Sequence, residues 1–189
     1  LTASTPQAGE QQKFLESAHP RATNQKEIKM ILLDFGGVIK GDAQQEGHAD
    51  WINVTSIQLG VGRAITTSGS GKDRDTSTPS FSEVTCTKST DIASNDIFAQ
   101  ATYGMKICDM ATVDFIQTGG GGADQVFMQY ELYEPIISSY SVSSGGERPT
   151  ESFSISFTKI IQKYKQFDAG GTQTEATDKG YDLKTGMPT

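Results

Sequence analysis

Glu151-Ser152-Phe153-Ser154-Ile155-Ser156-Phe157-Thr158-Lys159-Ile160-Ile161 is the stretch on which the fold turns. Side chains of a β-strand alternate between two faces, so Phe153, Ile155 and Phe157 share one face and Ser152, Ser154, Ser156 and Thr158 the other. That contrast predicts a half-buried strand. Ile160 and Ile161 then put apolar groups on both faces, so the run from Glu151 to Phe167 reads as one long strand that passes into a setting covered from both sides.

The segments around it follow the same pattern. Ile136 to Ser143 is a strand that ends at Ser144-Gly145-Gly146, and Gln125 to Glu134 is another, interrupted at Pro135. Met105 to Thr118 reads as a strand joined to the next by a Gly119–Gly122 hairpin loop. Phe81 to Lys88 sets Val84 and Cys86 opposite Phe81, Glu83, Thr85 and Thr87. In Trp51 to Val61, Ile52 and Val54 lie on one parity and Ile57, Leu59 and Val61 on the other. Such a switch implies a bulge or a strand that serves two buried faces. Met30 to Phe35 is a short strand stopped by Gly36-Gly37.

One helix is expected, from Asp91 to Tyr103. Ser89 or Thr90 would cap it, Ile92, Ile97, Phe98 and Ala101 form its apolar stripe, and Gly104 stops it. Arg63 to Ser80 is dense in Ser, Thr, Gly and Asp, so it reads as a long protruding loop. Asp168 to Thr189 reads as a Gly/Thr-rich tail with one short strand at Tyr181–Leu183. Roughly seven strands, one helix and hairpin-sized connections make a mainly β fold, an antiparallel β-barrel with one capping α-helix. Residues 30–183 would form this domain. Residues 1–29 would be a flexible N-terminal extension, a remnant foreign to the natural chain or a partner-binding arm, with Met30 as natural start, and 184–189 a C-terminal tail.

Composition narrows the function. The 189 residues are only 35% hydrophobic and include 20 glycines, so the core is thin and more surface is expected to be buried against copies of the same chain. A net charge of −7 would repel phosphate backbones, which argues against nucleic acid. No run approaches the length of a transmembrane helix, and the N-terminus lacks the basic-then-apolar order of a signal peptide. Cys86 and Cys108 fit no metal spacing and read as partly buried thiols, with a single bridge between neighbouring strands as the alternative.

The motifs that resemble chemistry lack their companions. Ile31-Leu32-Leu33-Asp34-Phe35-Gly36-Gly37-Val38 is similar to the first motif of haloacid-dehalogenase-type hydrolases, in which Asp34 would be a nucleophile beside a metal ion. That alternative needs parallel strands with crossover helices, and only one helix is expected here. Asp34-Phe35-Gly36 lacks the other kinase motifs. Gly69-Ser70-Gly71-Lys72 fails as a phosphate loop, since Thr66 stands at the first glycine position and Asp73 at the metal-binding hydroxyl. His48 beside Asp50 is the one possible catalytic relay, and its plainer role is a hydrogen bond to loop backbone. No catalytic residue, cofactor or metal site is expected.

Several linked motifs occur together: Ile39-Lys40-Gly41-Asp42, Glu46-Gly47-His48-Ala49-Asp50-Trp51-Ile52, Gly60-Val61-Gly62-Arg63, the run from Ser139 to Ser152, Phe157-Thr158-Lys159-Ile160 and Gly180-Tyr181-Asp182-Leu183. In this order they resemble the haemolysin-coregulated protein (Hcp) family, the inner-tube subunit of the bacterial type VI secretion system. The resemblance covers roughly residues 30–183. It implies a structural protein, not an enzyme, that closes into homohexameric rings. The rings stack into a tube, work with a sheath and a spike, and carry and stabilise small effector proteins. It also implies assembly in the cytoplasm and export through the type VI machine, without membrane insertion. Ser143 and Ser144 would face the channel and touch cargo. Arg63, Lys72, Asp73, Arg74 and Asp75 belong to the loop expected to stack one ring on the next.

Overall fold

The computed structural model describes residues 28–67, 74–119, 124–168 and 170–189. Two antiparallel sheets enclose one core. The larger contains β1 (Ile28–Asp34), β2 (Ile52–Val54), β9 (Met110–Thr118), β10 (Asp124–Tyr133), β13 (Lys159–Phe167), β14 (Gln173–Asp182) and β15 (Met187–Pro188). Its order is β15-β14-β13-β10-β9-β1-β2. The smaller contains β3 (Ser56–Gln58), β8 (Val84–Ser89), β11 (Ile136–Ser143) and β12 (Thr150–Ser156), in the order β11-β12-β8-β3. Two short pairs, β4 (Val61–Gly62) with β7 (Ser80–Phe81) and β5 (Ile65–Thr67) with β6 (Arg74–Thr76), stand apart from both. The helix α1 (Ser94–Tyr103) packs on β11.

The alternation that predicts the wall strand holds to its end. Glu151, Phe153, Ile155 and Phe157 are buried while the residues between them are only partly so. The single long strand does not hold. It breaks at Phe157–Thr158, so that β12 lies in the small sheet and β13 in the large one. Ile160, followed by Ile161, is where the chain re-enters the core. Trp51 to Val61 behaves alike: at Thr55 the chain leaves β2 in the large sheet for β3 in the small one. Its parity switch is a change of sheet between two short strands, neither the bulge nor the single two-faced strand expected, and Val61 is exposed. These crossings tie the two sheets round a common core of Leu33, Phe35, Val84, Val113, Leu132, Phe153 and Ile155.

Three other expectations are revised. Residues 168–189, expected as a tail, form the ten-residue β14 and the short β15, with Thr189 and Gly180 bonding each other in both directions. Residues 63–80 are not a plain loop but carry the β5–β6 hairpin. The helix begins at Ser94, without a side-chain cap from Ser89 or Thr90; instead the Asp91 carboxylate accepts from Ala93 N–H, and Ser94 Oγ accepts from Asp91 N–H. Gly104, at φ 63°, ends it as expected.

Candidate assembly site

Two of the six linked motifs fall in the segment from 36 to about 52, part of which lies on the face of the large sheet away from the main core. Ala43 and Trp51 cover Leu32 and Ile116 there. Two backbones come so close at Gly41 that a Cβ would sit 2.1 Å from the Trp51 carbonyl oxygen, so no other residue fits unshifted. His48 does not pair with Asp50. Its Nε2 lies 2.9 Å from Oδ2 of Asp114 on β9, its Nδ1 lies 3.3 Å from the Glu46 carbonyl, and its ring stands edge-on to Trp51. Gln129 donates to the other Asp114 oxygen at 2.6 Å. Asp114 is thus buried with both oxygens engaged, which is the condition for burying a carboxylate. The expected His48 bond to loop backbone is present, and Asp114 adds an anchor that no local spacing could reveal.

Hydrolase chemistry finds no support. The sheets are antiparallel, and Asp34 Oδ1 accepts from Gly37 N–H at 2.8 Å in the turn that ends β1. Asp50 pairs with Lys40. Among the described residues no group of His, Cys, Asp and Glu could hold a metal ion, and no helix is long and apolar enough to cross a membrane. Cys86 and Cys108 are both free, and burial pushes the Cys86 thiol up to about 12, so it is inert as a nucleophile.

Two projecting features remain. The turn between β11 and β12 leaves Ser143 to Arg148 exposed, with Gly146 at φ 107° and Ser144 Oγ bonded to the Glu147 carbonyl. Ser143 stands at the end of the ladder, opposite Thr150. Farther round, residues 59–67 and 74–83 form a stalk. Gly60 and Ser82 exchange two hydrogen bonds, Ala64 and Ser77 two more, and the short pairs β4–β7 and β5–β6 fill the intervals. Val61 and Ile65 are exposed on this stalk at 62% and 61%. Arg63 is exposed on it, and Arg74 and Asp75 pair in register with Thr67 and Thr66. Lys72 and Asp73 lie outside the described residues. The structure therefore places the proposed cargo turn and the proposed stacking loop on separate elements.

Residues the sequence reading passed over lie beneath the turn. Lys88 and Glu151, opposite each other in register, are 0% and 1% exposed. Lys88 shares its parity with Val84 and Cys86, and Glu151 shares its parity with Phe153 and Ile155, so alternation itself marked both as inward-facing charges.

These features define a class: an antiparallel barrel with one packed helix, an exposed stalk and, among the described residues, no catalytic constellation. Residues 32–164 match the family model described as type VI secretion system effector, Hcp, and the chain belongs to that family. The solved structures agree in fold. One described as a type six secretion system protein aligns at 21% identity and a TM-score of 0.77, covering 85% of this chain and 99% of its own. Hcp1 from Salmonella typhimurium aligns at 20% identity and 0.68, covering 86% and 100%, and a type VI secretion system effector from Yersinia pestis at 18% and 0.62, covering 80% and 98%. No curated protein matches. The chain is accordingly a structural subunit of the type VI secretion tube and not an enzyme.

Proposed function

We propose that this chain closes into homohexameric rings that stack through the stalk and present the 143–149 turn to the channel. The observation that carries the stacking role is the stalk itself. It satisfies its backbone internally through Ser77 and Ser82, yet leaves Val61 and Ile65 uncovered. A segment that needed only to connect β3 to β8 has no reason to keep two exposed aliphatic side chains on a bonded ladder. Arg63, Lys72, Asp73, Arg74 and Asp75 would supply the charges that set the register of that contact. Ser143 and Ser144 would touch small effector proteins, Ser143 with the freer hydroxyl because Ser144 is bonded within its own turn.

In this reading the subunit assembles in the cytoplasm, meets sheath and spike as the tube forms, and leaves the cell with its cargo. The extension expected over residues 1–29 lies outside the described residues as far as residue 27, whereas Ile28 already belongs to β1, and 184–189 close the last edge of the barrel. Light scattering on the purified protein should give particles of about six subunits, the closed cyclic assembly expected of head-to-tail contacts, and negative-stain images should show rings. A monomer across a wide concentration range overturns the reading.

A further inference from the structure

Beneath the 144–149 turn one ammonium group gathers three segments. Lys88 Nζ, at the end of β8, donates to Glu151 Oε2 at 3.1 Å, to Asp91 Oδ1 at 2.6 Å and to Ser94 Oγ at 3.2 Å. Asp91 and Ser94 belong to the lead-in and first turn of α1, and Glu151 to the root of the turn on β12. Thr90 completes the tie, since its N–H and its hydroxyl both reach the Pro149 carbonyl, at 3.0 and 3.1 Å. Tyr140, on the strand that enters the turn, meets Phe98 of α1 edge-on. Burial works against the Glu151 carboxylate, but hydrogen bonds from Ser94, Lys88 and Thr90, together with the Lys88 charge, outweigh it and hold its pKa below the usual value.

Net stability does not account for such a cluster. Replacing a buried ion network with apolar groups of similar size is often neutral or stabilising, because desolvation offsets the attraction. Directional bonds from one point to three segments do something that apolar contact cannot: they fix relative orientation.

We propose that Lys88 is a positioning residue that holds the 144–149 turn at one place and angle relative to α1. The use of the turn's surface for cargo rests on the function proposed above; the positioning itself does not. Lys88→Met alone would strand two buried carboxylates and lower stability throughout, so the deciding variant is Lys88→Met/Glu151→Met/Asp91→Asn, which removes the charges together. Hydrogen exchange followed by mass spectrometry on peptides covering 86–94 and 140–152 should accelerate about tenfold, while peptides of β1 and β9 keep their wild-type rates. Unchanged exchange in the first pair overturns the proposal, and so does equal acceleration everywhere. Glu151→Gln, which keeps the size of the side chain and weakens one of the three contacts, should raise exchange in the same two peptides by a smaller factor and provides the measurement if the triple variant does not fold. Ring formation by the wild-type chain is read separately by light scattering, so loss of the ring model and loss of this one are distinguishable.

Discussion

Two long irregular segments leave the barrel, and they treat its surface in opposite ways. Residues 36–51 lie down on the large sheet, where Ala43 and Trp51 bury apolar area, His48 grips Asp114, and Gly41 lets backbone meet backbone. Residues 59–67 and 74–83 stand up. Their polar groups bond one another across the stalk, and their aliphatic side chains Val61 and Ile65 face outward. The first segment is therefore part of the fold, and packing constrains it at Ile39, Gly41 and Ala43 and at half-buried His48 and Trp51. The second is constrained by its own ladder, by Leu59 and Phe81 at its root and by whatever it meets. Two of the linked motifs that mark the family fall in the first segment, whereas the 63–80 stretch shares only its polarity.

The sharpest way to break this contrast is at the root of the standing segment. Phe157 meets Phe81 edge-on, and Phe81 in turn stacks on Tyr181. Phe157→Ala should cost about 3–5 kcal/mol in a urea titration. A loss typical of an exposed residue would mean that the stalk is not rooted in the core. Gly41→Ala should follow, with about 3 kcal/mol lost, since its new Cβ meets fixed backbone. Gly62→Ala on the stalk, where nothing lies within 4 Å, is the matched control and should change stability by less than about 0.5 kcal/mol. His48→Ala should cost roughly 1–3 kcal/mol, because Asp114 would stay buried with Gln129 as its remaining described side-chain donor, and exchange across 43–51 should quicken. The smallest effect on stability is expected of Ile65→Ser, within about 0.5 kcal/mol, yet it should weaken self-association measured by sedimentation. Should Ile65→Ser instead unfold the chain, the stalk is not the free surface described here.

Strand identity was legible wherever one face is wet. The alternating half of 151–167 reads correctly because its serines sit between buried apolar groups, and Ile136–Ser143 is a strand as expected although only Ile137 in it is buried. Sheet crossings were only half legible: a parity switch at 52–61 shows that something changes, but not whether it is a bulge or a new partner. At 157–158 the buried parity shifts from Phe157 to Ile160, but Ile160 and Ile161 together put apolar groups on both parities, so the change reads as a strand covered on both sides and not as a new partner. β14 escaped notice because Gln173–Lys179 are all exposed, so no apolar alternation records the pairing that its backbone makes with β13. For the site, the motifs pointed to the family, and alternation already held Lys88 and Glu151 in plain view. The link from His48 to Asp114 spans 66 residues and left no local trace.

The crossings at Thr55 and at Phe157–Thr158 also bear on mechanics. In a sandwich whose strands each stay in one sheet, a sideways load is resisted mainly by apolar faces, which can slide. Here covalent backbone runs from one sheet to the other at both places. Shearing the sheets must stretch the chain itself, so the subunit resists a push as a laced body and not as two layers.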